Sequence, residues 1–159
     1  MADQVERVAP NAIATCLNRL LIVPRIYLHA RWPGDAGREC DILAIDRDGQ
    51  GEAHIVEIRR TAKEALARVP ALLEPGVKAP FRWVAYLSGT EDADASLALI
   101  SKEPLNAKGS PGRVGVIQFF EMAGGDAGAN VVVKADRFPG GFYDLSRAFS
   151  AAHNADQQY

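Results

Sequence analysis

The sequence predicts an α/β protein, a mixed β-sheet flanked by helices. Stretches with helical spacing of apolar residues alternate with short runs rich in Val, Ile and Leu, and one Asp- and Gly-rich turn joins two of those runs. No linker-like or low-complexity segment divides the chain. The 159 residues, 48% of them hydrophobic, are enough for one ordinary core, so we expect residues 1–159 to form a single domain.

Net charge, cysteine content and the length of apolar runs limit the classes of protein to which this chain can belong. The net charge of −2, from 18 basic and 20 acidic residues, excludes a positive field over the whole molecule, so contact with nucleic acid must be local. Cys16 and Cys40 are too few for a disulfide framework and suit a reducing cytosol. The longest apolar run, residues 20–24, is far shorter than the roughly 20 residues of a membrane-spanning helix. We expect a soluble, cytoplasmic protein without a membrane segment.

The first half of the chain is predicted to begin with a helix and three strands. Pro10 suits the first turn of the helix, and Pro24 is expected to end it. A turn rich in Asp and Gly, residues 47–51, indicates that the second and third strands form a hairpin. The predicted strands are residues 25–30 and, after a loop at Pro33, Gly34 and Gly37, residues 40–46 and 53–59.

A second helix is predicted to begin after Thr61. Thr61 is a suitable N-cap, and Glu64 three residues later completes a capping box. Pro70 is expected to end or kink this helix. The remaining predicted elements are a strand at residues 81–87, a helix at 91–103, a C-terminal β-hairpin of strands 114–121 and 130–135, and a last helix at 143–153.

Chemistry is most strongly indicated in the hairpin, where Asp41 opens one strand and Glu57 and Arg59 lie near the end of its partner. Side chains alternate along a strand, so Glu57 and Arg59 are expected on one face, and Asp41 on the side of Leu43 and Ile45. Asp41 and Glu57 can then approach each other across the pair. Two such carboxylates repel unless a cation lies between them, and oxygen ligands suit Mg²⁺, which can hold a phosphodiester and activate water.

These residues carry a resemblance to a known family. Residues 37–45 (Gly-Arg-Glu-Cys-Asp-Ile-Leu-Ala-Ile) and 55–59 (Ile-Val-Glu-Ile-Arg) resemble the PD-(D/E)XK motif of the restriction-endonuclease-like superfamily, in the form of Holliday junction resolvases and Mrr-type nucleases. That family has a core of helix, three strands, helix and strand, the order that residues 10–87 are predicted to follow. Family members often place an acidic residue on the first helix, and Glu6 precedes that helix here.

The resemblance implies a role for each matching residue. Asp41 and Glu57 would be metal ligands, the backbone carbonyl of Ile58 a third ligand, and Mg²⁺ the cofactor, with Mn²⁺ as its substitute. Arg59 stands where the family has its catalytic lysine. Arginine keeps the positive charge and can stabilise the pentavalent phosphate, but its pKa is too high for proton transfer. Lys63, one helical turn further on, is the alternative for the lysine role.

A locally basic stretch follows the motif and would contact the DNA backbone, with Arg60 and Arg68 as the main nucleic-acid-binding residues. Trp83 could stack on a base, although a position in the core is the expectation for it. The basic residues of this stretch are Arg59, Arg60, Lys63, Arg68, Lys78 and Arg82.

Three hypotheses for function remain open at this stage. The first is a Mg²⁺-dependent nuclease-like enzyme that cleaves DNA phosphodiesters. The second is a catalytically inactive nuclease-fold module that binds nucleic acid or a protein, as a homodimer or with another partner. The third is an unrelated α/β domain in which Asp41 and Glu57 do not converge, or in which Glu57 pairs with Arg59 or Arg60 as an ordinary ion pair.

Overall fold

The computed structural model describes residues 4–21, 25–32, 35–46, 52–89, 93–139 and 157–158. Their helices and strands follow one another in the order of a mixed α/β fold. The elements are α1 Gln4–Leu20, β1 Arg25–Trp32, β2 Asp35–Ile45, β3 Ala53–Arg59, α2 Ala62–Leu66, α3 Val69–Leu72, β4 Phe81–Leu87, α4 Ala93–Lys102, β5 Gly115–Glu121, β6 Ala127–Val133 and β7 Gln157–Gln158.

One mixed sheet organises the molecule, with the strand order β6-β5-β4-β3-β2-β1-β7. Strands β1, β2 and β3 form an antiparallel meander, β3, β4 and β5 run parallel, and β5 and β6 are antiparallel. Parallel neighbours need a crossover connection, which α2 with α3 provides between β3 and β4, and α4 between β4 and β5. The predicted mixed sheet flanked by helices is confirmed.

The two faces of the sheet bury separate apolar clusters. Helix α1 places Ile13 and Leu17 in the cluster of one face, together with Val56 of β3. The short helices α2 and α3 contribute to the other cluster, with Leu43 of β2 and Ile55 of β3. The two clusters arise because side chains alternate along each strand. In β4, for example, Val84 and Tyr86 lie in one cluster and Trp83 and Ala85 in the other.

Local signals predicted several elements well. The bounds of β3 and β4 agree with the prediction, and the hairpin of β2 and β3 is confirmed by their antiparallel register. Thr61 caps α2, its side chain accepting a hydrogen bond of 3.1 Å from the backbone N–H of Glu64. Both described cysteines are buried and free.

Three expectations for local structure were wrong. Pro10 lies inside α1, which begins at Gln4, because the apolar face of the helix extends to Val8 and Ala9 and outweighs the backbone hydrogen bond that proline removes. Gly37 lies within β2 and not in a loop. Asp41 lies inside that strand and does not open it.

The helix after Thr61 ends at Leu66, before Pro70, in line with the expected effect of this proline, and Pro70 lies in the first turn of the separate helix α3. The predicted loop residues Pro33 and Gly34 and the predicted last helix at 143–153 lie outside the described residues. Among the described helices, none has the length and apolar character needed to cross a bilayer.

Candidate functional site

Asp41 lies at an interruption in the side-chain alternation of β1 and β2. The register passes from Leu28 opposite Ile42 to Ala30 opposite Cys40, which places His29 across from Asp41. Cys40 lies in the same apolar cluster as Leu43, although strict alternation would send the two to opposite faces. The backbone of His29 has a positive φ of 52°, a conformation that non-glycine residues seldom adopt. The expectation that Asp41 simply shares the side of Leu43 and Ile45 therefore fails at this irregularity.

The carboxylate of Asp41 is held by the end of β3. Its Oδ2 accepts a hydrogen bond of 2.7 Å from the backbone N–H of Ile58 and one of 3.1 Å from Nη1 of Arg59. The same Nη1 donates to the carbonyl of Ile58 at 2.6 Å. A single guanidinium nitrogen thus bridges the two oxygens that the family resemblance assigns to a metal ion.

Glu57 is the second carboxylate, and its side chain is only 3% exposed. The last recorded pair of β2 and β3 is Ile42 opposite Val56, so Asp41 and Glu57 are the next residues on the two strands. Burial raises the pKa of Glu57, and the nearby charge of Asp41 raises it further. The charges of the two carboxylates therefore influence each other.

Arg68 is the ion-pair partner of Glu57, with Nη2 at 3.2 Å from Oε1. Sequence reasoning placed Arg68 on the DNA backbone and offered Arg59 or Arg60 as the partners of Glu57. Arg68 reaches Glu57 because it lies at the N-cap of α3, after α2 has brought the chain back over the sheet. Each carboxylate of the motif therefore has its own arginine.

A cleft of about 760 Å³ opens beside Asp41, between the first half of α1, the middle of β1 and β2, and the end of β3. Glu6, expected just before the first helix, lies in the first turn of α1 and lines this cleft with Asp41, Ile58 and Arg59. Glu57 and Lys63 are not among the lining residues, and Lys63 is exposed on α2. The cleft thus brings together Asp41, Ile58 and Arg59 of the predicted site, but neither Glu57 nor the alternative lysine.

The charged side chains around the cleft are of both signs. Arg7 is directed to the end of β5, where it makes two hydrogen bonds of 2.6 and 3.1 Å to the carboxylate of Glu121. Carboxylates outnumber guanidinium groups around the cleft, and this charge balance is unfavourable for binding a phosphodiester. The lining carboxylates are Glu6, Glu39, Asp41 and Glu64, and the lining guanidinium groups are Arg7, Arg59 and Arg60.

Several side chains of the basic stretch form ion pairs or hydrogen bonds within the fold. Arg59 and Arg68 pair with the motif carboxylates. Arg82 is buried and donates to three backbone carbonyls at 2.6 to 3.0 Å, while its guanidinium lies 3.8 Å from the ring centroid of Phe138. Burial lowers the pKa of Arg82 to about 10, so it stays charged at neutral pH. Arg59, Arg68 and Arg82 therefore each have structural partners within the fold.

Trp83 lies in the core, as expected, and cannot stack on a base. It is 3% exposed, and its Nε1–H donates to Nδ1 of His54 at 3.2 Å. His54 is itself buried, only 4% exposed, and stacks on Phe81 at 4.3 Å between ring centroids. Burial lowers the pKa of His54 to about 3, which keeps the imidazole neutral and able to accept this bond.

The metal predicted for this site does not fit the side-chain arrangement. The described residues include no cluster of three His, Cys, Asp or Glu side chains able to hold a metal ion. The cation at Asp41 Oδ2 and the Ile58 carbonyl is the guanidinium of Arg59. Glu57, the other predicted ligand, is occupied by Arg68. Arginine charge thus takes the place that the resemblance assigns to Mg²⁺.

Comparison with known proteins extends the description of the fold. No family model and no curated protein matches the chain. Among solved structures, a protein of unknown function from Silicibacter pomeroyi, SPO1766, is similar with a TM-score of 0.55 and 13% sequence identity. The match covers 97% of this chain and 84% of that one. At this identity the likeness shows a shared fold and carries no function.

Proposed function

We propose that this protein is a non-catalytic, restriction-endonuclease-like module that binds a protein partner. The order helix, three strands, helix, strand and the position of Asp41 and Glu57 on neighbouring strands support the relationship to the superfamily. The main support for a loss of catalysis is the bridge that Nη1 of Arg59 forms between Oδ2 of Asp41 and the carbonyl oxygen of Ile58. A cation built into the chain would make a metal unnecessary for neutralising Asp41.

A protein partner is favoured over nucleic acid by the charge around the cleft. Nucleic-acid affinity depends on an excess of Lys and Arg facing the phosphates. Here the lining carboxylates outnumber the guanidinium groups, and Arg59, Arg68 and Arg82 of the basic stretch are bonded internally. Arginine is enriched in protein interfaces, and Arg60 lines this cleft together with Leu28 and Ile58.

Titration with Mn²⁺ and Mg²⁺ by calorimetry tests the loss of the metal site. We expect no binding to the wild-type protein and new Mn²⁺ binding in Arg59→Ala, which frees Asp41 and the Ile58 carbonyl. Arg19→Ala, which removes an exposed arginine of α1, is the matched control and should bind none. Fluorescence anisotropy with duplex and branched DNA should give dissociation constants weaker than about 0.1 mM at physiological salt.

The metal-dependent nuclease is the second candidate, favoured by the common position of Glu6, Asp41 and Ile58 on one cleft. Wild-type binding of Mn²⁺ that is lost in Asp41→Ala, together with metal-dependent DNA cleavage, would establish this candidate and refute the non-catalytic one. Tight DNA binding without cleavage would instead refute the choice of a protein partner.

A further inference from the structure

Strand β6 forms one edge of the sheet and is chemically unprotected. Its outer side faces no strand among the described residues. The seven residues of β6, Ala-Gly-Ala-Asn-Val-Val-Val, contain no charge and no proline. Edge strands of natural proteins usually carry lysine, inward charges or proline, which discourage pairing with another chain. The backbone groups on the outer side of β6 are therefore suited to receive a further strand.

The charges at the two ends of β6 indicate which strand would fit. Asp126 precedes the strand and Lys134 follows it, each four residues from Asn130. Both side chains are exposed, and neither forms an ion pair with another described residue. If a second β6 runs antiparallel about a twofold axis at Asn130, Asp126 of each copy lies opposite Lys134 of the other. The strand is thus complementary to itself in charge.

An apolar cleft lies at the same edge of the sheet. It has a volume of about 440 Å³, and its lining includes Leu97 and Ile100 of α4 and Val132 and Val133 of β6. Leu97 is 49% exposed, and Leu99 on the same helix is 40% exposed. A twofold axis normal to the sheet would bring the α4 helices of both copies to the same face of the joined sheet, with Leu97 of each copy beside the paired β6 strands.

We propose that β6 pairs antiparallel with β6 of a second copy about a twofold axis at Asn130, joining two seven-stranded sheets into one. The register shift at Val132 adds a bulge and local twist, so the most regular pairing is expected over residues 129–131. This assembly rests on the edge strand and not on the cleft beside Asp41. It therefore holds or fails independently of the proposed function.

Charge reversal tests the self-complementarity. Asp126→Lys and Lys134→Asp each replace two attractions by two repulsions across the twofold axis, and should weaken dimerisation about tenfold in analytical ultracentrifugation at low salt. The double variant Asp126→Lys/Lys134→Asp restores opposite charges and should return the dissociation constant close to the wild-type value. A double variant as weak as the single variants would overturn the proposed register.

Cross-linking tests the position of the axis. The two Asn130 side chains would be directly opposite each other, with Cβ atoms about 4.5–5.5 Å apart, close to the separation that a disulfide spans. Asn130→Cys should therefore form a covalent dimer under mild oxidation, while Asn18→Cys, on exposed α1 surface, should not. The natural cysteines are buried and do not compete. A monomeric wild-type protein, or a dimer that Asn130→Cys does not cross-link, would overturn the proposal.

Discussion

Replacing Arg68 tests whether the buried carboxylate of Glu57 has a structural role, as the partner of Arg68, or a role as a metal ligand. Arg68→Met keeps the aliphatic stem but leaves the Glu57 carboxylate, whose side chain is 3% exposed, without its cation. Breaking a buried ion pair costs about 3–5 kcal/mol. Here Arg68 is 36% exposed, and its Nε is buried without a hydrogen-bond partner among the described residues, so the pair is imperfect and partly screened. We expect a loss of about 2 kcal/mol at pH 7, taking the screening into account.

Urea unfolding of Arg68→Met, Glu57→Gln and the double variant measures this effect. The double variant should recover about half of the loss, because a neutral amide needs no cation. Burial already raises the pKa of Glu57, and loss of Arg68 raises it further. The penalty in Arg68→Met is therefore present above that pKa and disappears as the pH falls through it. Equal losses in Arg68→Met and the double variant, or a loss that does not shrink towards pH 5, would refute this reasoning.

Two further predictions concern buried groups outside the cleft. Folding lowers the pKa of His54 from its ordinary value of 6.5 to about 3. The folded state therefore loses stability as the pH falls below 6.5, because the unfolded chain binds a proton that the buried imidazole does not. The free energy of unfolding should fall by about 2 kcal/mol from pH 7 to pH 5, and His54→Gln should lack this loss. Urea unfolding across this range checks it, and an unchanged pH dependence in His54→Gln would contradict it. Arg82→Lys should cost about 2 kcal/mol or more, because an ammonium cannot satisfy the three carbonyls that the guanidinium binds. Thermal unfolding measures this loss, with exposed Lys78→Ala as the control; equal melting temperatures for the two variants would contradict it.

Much of the fold is predictable because its determinants are local. The bounds of β4 follow from an alternating run between turn residues, and the start of α2 follows from the hydroxyl of Thr61 three residues before the N–H that it binds. Pro10 was misleading because its local preference for a first turn is weaker than the burial of the helix face before it. Packing, which the sequence shows only indirectly, decided that position.

The strands that carry the two carboxylates were predictable, but the arginine partners of the carboxylates were not. The predicted hairpin places Asp41 and Glu57 on adjacent antiparallel strands, each one residue beyond the recorded pair of Ile42 and Val56. Which arginine reaches which carboxylate depends on the path of α2 and α3 over the sheet, and nothing in the spacing of Arg59 and Arg68 reveals it. The place of Glu6 on the cleft could have been inferred by extending the apolar periodicity of α1 back to Val5.

The packing of α1 has a consequence for the order of events during synthesis. This helix rests on β5 and β6, and Arg7 binds Glu121, which lies 114 residues further along the chain. At about 5–20 residues per second, the ribosome delivers that surface roughly 5–25 s after α1 itself. During this interval the apolar face of α1 has no complete surface to dock on. A chaperone that binds nascent chains would therefore have its main opportunity at the first helix.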